Sequence, residues 1–271
     1  MRGPIWGAVP YGTRRKEVRL MAKPSDADGY EYSNAPVVLN IQEQLLYEMR
    51  LGVYRTADKL PRESLLAEAL NISRTQLRDA LAELEREGFI SRRRGVGTLI
   101  NRHVLQVPVR MDLEIEFMEM VRRSGHRAEE LLEKVGTVLS AAAAKKLGLA
   151  PTDEMLFVSR IVTSDGRPVI YCEDYIPKAL VRDPDFTDKD LEAPIFEFLR
   201  EKCGVEAYLD VAEVRAAAAS GTLAQRLGVA QGAPLLYMDE VDYDFEGAPL
   251  MYSRQFFVDG AIAHTVVRRK I

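Results

Sequence analysis

Cysteine and histidine are scarce in this chain, with two Cys and three His among 271 residues. The separation of Cys172 from Cys203 matches neither a metal-ligand pattern nor a disulfide framework, so a reduced, cytoplasmic protein is expected. Long apolar runs are missing too: no window approaches the roughly 18 apolar residues of a membrane span. The start is basic (Arg2, Arg14, Arg15, Lys16) but lacks the apolar stretch that a secretory signal would add. No nucleophile–base pair, phosphate-binding loop or metal-ligand spacing stands out, so no catalytic residue, cofactor or metal is expected. What is present is an ordinary globular composition, 47% hydrophobic and 29% charged, in a chain long enough for two cores. The net charge of −4 conceals an asymmetry: residues 36–103 carry 11 Lys and Arg against 9 Asp and Glu, whereas residues 104–271 carry 20 against 28. An acidic total does not exclude a polyanionic partner, because the field at the contact face decides.

Residues 1–35 are rich in Gly, Pro, Ser, Asp and Tyr without clear periodicity. They read as a poorly ordered tail, or as an arm whose Arg14, Arg15 and Lys16 pack on a dimer or reach a nucleic acid. From there to residue 102 the chain reads as one small domain. Ile41, Leu45, Leu46 and Met49 mark a first helical face. Pro61 opens a second helix with Leu65, Leu66 and Leu70 as its expected buried stripe. Ser73 caps a third, with Gln76 completing a capping box, Leu77, Leu81 and Leu84 inside and Gly88 at the end. Phe89–Ser91 and Thr98–Ile100 then read as strands joined through Gly95-Val96-Gly97.

That order is a winged helix-turn-helix, whose second helix and hairpin dock on a DNA duplex. Ser73 and Thr75 hydroxyls and the amides at the helix start suit phosphate. Arg74, Gln76 and Arg78 reach base edges, where arginine matches guanine and glutamine matches adenine. Arg92, Arg93 and Arg94 lie beside glycines that let the wing tip approach the backbone or minor groove. The expected DNA contacts are Arg62, Ser73, Arg74, Thr75, Gln76, Arg78, Arg93, Arg94, Gly95, Gly97 and Thr98.

Leu60-Pro61-Arg62-Glu63, the run Ile72-Ser73-Arg74-Thr75-Gln76-Leu77-Arg78-Asp79-Ala80-Leu81, and Gly95-Val96-Gly97-Thr98 closely resemble the DNA-binding domain of the GntR family of bacterial transcription regulators. Two residues depart from that pattern. Arg62 stands where Ser is frequent, losing a helix cap and gaining a phosphate contact. Ser64 stands where Arg is frequent, removing one usual DNA contact.

After an expected linker at 103–109, residues 110–271 contain an internal repeat. Ala144-Lys-Lys-Leu-Gly-Leu-Ala150 recurs as Ala224-Gln-Arg-Leu-Gly-Val-Ala230. Asp165-Gly-Arg-Pro-Val-Ile-Tyr-Cys172 recurs, with a one-residue slip, within Phe245–Ser253. Alanine runs (Ala141–Ala144 and Ala216–Ala219) precede both copies. Unless the likeness is fortuitous, two such units predict one α+β domain with a pseudo-twofold and a central antiparallel sheet.

The Asp165-Gly166-Arg167-Pro168, Tyr175-Ile176-Pro177, Leu227-Gly228-Val229, Pro234-Leu235-Leu236, Gly247-Ala248-Pro249 and Val267-Arg268-Arg269 segments resemble the UTRA effector domain of the HutC branch. That resemblance implies a chorismate-lyase-like antiparallel sheet with helices. His103, His126 and His264 are scattered, which sets the chain apart from the GntR branch that carries a histidine metal site. Relatives that respond to sugar phosphates carry a second arginine where Val162 stands, a carboxylate at Cys172, and Glu and Tyr at Met251 and Phe257. These exchanges imply a more apolar pocket and an amphiphilic anion held by Arg160 or Arg254. Tyr171, Glu173, Tyr175 and Tyr252 complete the expected effector site.

The reading that follows is a ligand-responsive regulator, a repressor that binds a palindromic operator as a homodimer and is released by a small-molecule effector. The alternatives are a constitutive DNA-binding protein whose second domain only dimerises, and a lyase-like enzyme.

Overall fold

Ile41, Leu45 and Met49 recur every fourth residue, and the helix they predict runs Val37–Arg50 (α1), with all three side chains buried. The computed structural model describes residues 37–268, so the expected tail at 1–35 lies outside the described residues. The chain divides between Gln106 and Val107 into two units.

In the first unit, α2 (Glu63–Leu70) and α3 (Arg74–Arg86) are separated by a turn in which Asn71 takes a left-handed conformation (φ 53°). Leu66 and Ala67 are the buried residues of α2, and Leu65, expected inside, is 57% exposed. A helix this short offers one narrow stripe to its neighbours, and the 66/67 pair occupies it. Leu77, Ala80, Leu81 and Leu84 of α3 are buried; each leucine removed from water contributes roughly 2 kcal/mol. Gly88, at φ +84°, lets the Phe89 amide return to the Leu84 carbonyl at 2.9 Å. The wing is an antiparallel pair, β1 (Ile90–Arg93) and β2 (Gly97–Ile100). It has a short third member, since Lys59 bridges to Leu99 and the Leu60 amide donates to the Thr98 carbonyl at 3.0 Å.

The expected linker at 103–109 needs correction. Residues Arg102–Leu105 form a helical turn, α4, with Val104 and Leu105 buried. The Arg102 guanidinium donates to the carbonyls of Met49, at 2.6 Å, and of Tyr54 and Ala57. One planar cation thus satisfies three carbonyls at the end of α1 and in the following loop, which makes 102–105 part of the first unit.

The second unit is built on β3 (Ala128–Val138), β4 (Met155–Ser164), β5 (Arg167–Pro177), β6 (Leu209–Ala218), β7 (Pro234–Tyr243) and β8 (Pro249–Val258). All neighbours are antiparallel in the order β3-β4-β5-β8-β7-β6. This order places the two sequence copies on either side of the β5–β8 pair, where Tyr171 faces Phe256 and Tyr175 faces Tyr252. Each copy is led by a short helix, α6 (Ala141–Lys146) or α8 (Gly221–Arg226), and each hairpin turns on a glycine, Gly166 (φ +80°) or Gly247 (φ +83°). The second alanine run does not lead a helix: Ala216–Ala218 end β6 and pair with Leu236, Leu235 and Pro234.

Both sheet faces are covered, so central strands read as nearly continuous apolar runs. On one face α6 and α8 pack through Ala143, Ala144, Leu147, Ala224 and Leu227. On the other, α5 (Phe117–Arg123) and α7 (Ile195–Phe198, continued by a wider turn to Cys203) pack on Val162, Ile170, Phe257, Leu156, Val158 and Met251.

Candidate nucleic-acid interface and ligand cavity

The start of α3 is built by its own sequence. The Gln76 amide donates to Ser73 Oγ at 3.2 Å, and the Ser73 amide donates to Gln76 Oε1 at 3.0 Å. This reciprocal cap leaves Arg74, Thr75 and Arg78 exposed on the outer surface. Beside it lies a cleft of about 600 Å³ where Lys59, Arg62, Arg74, Arg78 and Arg93 meet Gly95, Gly97 and Thr98 of the wing. Four arginines from three segments therefore converge at one mouth. Gly95 (φ +79°) and Gly97 (φ +102°) have open space where a Cβ would sit, so backbone conformation rather than crowding calls for glycine.

Not every expected contact is equally placed. Gln76 spends its carbonyl oxygen on the cap. Arg78 pairs with Glu63 across the turn (Nε–Oε2 2.7 Å) yet stays 64% exposed. Arg92 binds Glu85 through its side chain at 2.7 Å and its amide at 2.6 Å, which anchors the wing to α3. Ser73, Thr75, Gln76 and Arg94 lie outside the cleft. Lys59, whose Nζ donates to the Val96 carbonyl at 3.3 Å, was missed from the sequence. Its strand contribution is a single bridge, too short to leave an alternation.

The second unit holds a cavity of about 410 Å³ on the α5/α7 face of the sheet. The six residues expected to form one effector site do not come together. Arg160 lines this cavity; Tyr171, Glu173, Tyr175, Tyr252 and Arg254 do not. Side chains alternate between faces along a strand, and the odd positions of β5 from Tyr171 to Tyr175 and the even positions of β8 point to the α6/α8 face. There Tyr171 donates to Glu173 at 3.0 Å, Glu173 pairs with Arg254 at 2.9 Å, and Tyr175 stacks on Tyr252 with centroids 5.6 Å apart. Cys172 shares the cavity face with Asp174, so the carboxylate beside Arg160 comes from Asp174, two residues on, and not from Glu173. That two-residue step was the signal available in the sequence.

Arg160 is 3% exposed and already engaged. It donates to Asp174 Oδ2 at 2.9 Å and lies 3.3 Å from Glu130, while Ser253 Oγ donates to Asp174 Oδ1 at 2.7 Å. Arg110, the other cationic side chain of the wall, pairs with Asp112. The expected anion held by Arg160 or Arg254 does not fit this arrangement: the first arginine is neutralised by two carboxylates and the second faces away. The apolar part of the expectation has its counterpart in Phe117, Met120, Met238 and Met251 on the wall.

Carboxylates dominate what remains. Glu114, Glu116, Asp210 and Glu240 line the cavity, and Asp242 lies behind Glu240 on the same strand face. Burial pushes the Asp242 carboxyl up to about 9, with Glu240 and Glu114 adding to the rise. Burial likewise raises Glu240 to about 8, helped by Asp210 and Glu114, and Glu116 to about 7, where Glu130 adds and Arg160 opposes. Glu114, Glu240 and Asp242 bring one oxygen each within 4.8 Å of one another.

Comparison with known proteins follows the same division. The model of the UTRA domain matches residues 124–260, and that of bacterial regulatory proteins of the gntR family matches residues 38–100. The chain is similar to the probable fructoselysine utilization operon transcriptional repressor of Escherichia coli (strain K12), 23% identical over 88% of this chain and 97% of that protein. It is also similar to the transcriptional repressor NagR of Bacillus subtilis, 22% identical over 83% and 91% of the respective chains. Among solved structures, YydK of Bacillus subtilis superposes with a TM-score of 0.71 at 19% identity, over 86% of this chain and 99% of the other. PhnF of Mycobacterium smegmatis superposes with a TM-score of 0.54 at 24% identity, over the same shares. These two likenesses speak for the fold.

Proposed function

Because the chain belongs to the gntR family of bacterial regulatory proteins and carries a UTRA domain, we propose that it is a cytoplasmic repressor that grips a palindromic operator as a homodimer and releases it when a small molecule fills the second unit's cavity. It is a transcription regulator rather than an enzyme. The convergence of Lys59, Arg62, Arg74, Arg78 and Arg93 between the α3 start and the wing carries the DNA reading. Arg74 and Arg78 are assigned to base edges, where a bidentate arginine–guanine pair discriminates by roughly 1–3 kcal/mol. Lys59, Arg62 and Arg93 are assigned to phosphates, which position the protein without reading sequence.

Self-association is supported by edge strand β6, where Leu209, Val211 and Val214 are 46%, 57% and 49% exposed. A twofold dimer would present one recognition helix to each half-site. The names of the relatives support repression. Effector control requires the ligand to bind the released state more tightly than the gripping state; the difference sets the coupling.

The test is titration of an operator fragment isolated by selection from genomic DNA. Arg74→Ala and Arg78→Ala are each expected to weaken binding by about tenfold or more, with folding retained. A metabolite that lowers operator affinity supports effector control. A regulator whose affinity no metabolite alters would instead have a second unit that only dimerises.

A further inference from the structure

The carboxyl groups gathered in the cavity, and the want of partners for them, point to what it holds. Its two wall arginines are matched, Arg160 by Asp174 and Glu130, Arg110 by Asp112. Among the described residues, Glu114, Glu116, Asp210, Glu240 and Asp242 form no ion pair with Lys, Arg or His. Asp242 is the sharpest case. It is 0% exposed, and neither carboxylate oxygen has a hydrogen-bond partner. A buried carboxylate left so is costly unless a cation or donor meets it.

The repeat shows how the asymmetry arose. In the first copy, Arg160 of β4 faces Cys172 of β5; in the second, Glu240 of β7 faces Ser253 of β8. Likewise Asp174 corresponds to Gln255. One half carries its own cation, Arg160 on Asp174. The other puts a carboxylate at the cation's position, held by Gln255 Nε2 at 3.0 Å. In the free protein these buried carboxyls keep their protons, and a cation placed among them would let them ionise.

We propose that the effector is an organic cation, an amine or guanidine whose charged head sits among Glu114, Glu240 and Asp242 and whose carbon body lies along Phe117, Met120, Met238 and Met251. This rests on the reading of the cavity as an effector site and names the class it takes. A volume of about 410 Å³ suits a metabolite-sized body. Thioether and aromatic walls favour the polarised methylenes next to an ammonium. A bare divalent ion would leave those apolar walls without a role.

Isothermal titration of the full-length protein separates the possibilities. The panel comprises aliphatic amines and guanidines (pentylamine, cadaverine, agmatine, spermidine), with pentane-1,5-diol, glutarate and magnesium chloride at matched ionic strength. At least one amine or guanidine is expected to bind saturably and weaken operator binding. Glu240→Gln and Asp242→Asn are each expected to weaken that amine by about tenfold or more, with the unfolding transition intact. Saturable binding of the diol or glutarate with none by the amines overturns the cation assignment; if that ligand also releases operator, the effector reading stands without it. Binding by magnesium alone overturns it in favour of a metal site, and a panel in which no amine or guanidine binds overturns it outright. A metabolite screen in which nothing touches the cavity removes the effector reading itself.

Discussion

Asp242 shows how much one position depends on its surroundings. In the unfolded chain its carboxyl ionises near 3.8, and Glu240 near 4.5; in the fold burial raises them to about 9 and about 8. Between these limits the folded protein holds protons that the unfolded chain has released, so stability falls as pH rises. The melting temperature is expected to decline between about pH 5 and 8.5 as these groups are forced to ionise. Asp242→Asn, which cannot ionise, should melt above the parent at the upper end and not at the lower. Calorimetry at both values checks this, and parallel curves would remove Asp242 as the cause. Arg102 is the opposite case, a half-buried cation with three of its five N–H groups bonded to carbonyls. Arg102→Ala leaves three carbonyls unmatched and is expected to cost the first unit about 2 kcal/mol in urea unfolding, with Lys unable to restore the fork geometry.

At the scale of elements, local signals and their tertiary overrides can be told apart. The capping box at Ser73 and Gln76 needs four residues, all adjacent, so it was legible before folding. Ser73→Ala is expected to cost about 1 kcal/mol of stability by chemical denaturation and to weaken operator binding through a frayed helix start. Equal stability would mean that packing alone holds α3. Alanine runs mislead for the converse reason. Ala141–Ala144 enters a helix, but Ala216–Ala218, of the same high helix propensity, is drawn into β6 because β7 offers ladder partners along its length. The α4 turn was read as linker because its stabilisation comes from carbonyls some fifty residues earlier in the chain.

At the scale of the whole molecule, a chain of net charge −4 is assigned to a polyanion. The resolution is spatial: the cationic side chains gather at one cleft of the first unit, and the carboxylates gather in the cavity of the second. Operator affinity is expected to fall steeply with salt. Arg62→Ala and Arg93→Ala should each reduce the log–log slope by about 2 in a dimer, one phosphate contact per copy. A flat salt response, or slopes unchanged in both variants, would sink the phosphate assignments. The pseudo-twofold belongs to this scale as well, since copies about 80 residues apart become neighbours only through β5 and β8.

The order of cap, recognition helix and glycine-tipped wing, the two-unit plan and the internal repeat were all readable in the amino-acid sequence, because each rests on contacts between near neighbours or on a strict period. Which face of the sheet became the cavity was not readable. Tyr171 and Cys172 differ by one residue and end on opposite sides, and only the packing of α5 and α7 against one side decides which of them shares the face of the cavity. The charge of that cavity was decided at the same step, when Arg160 met Asp174 and Glu130 and left Asp242 without a counterpart. Pairings across long separations lower energy only once the sheet has formed, and no local pattern records them.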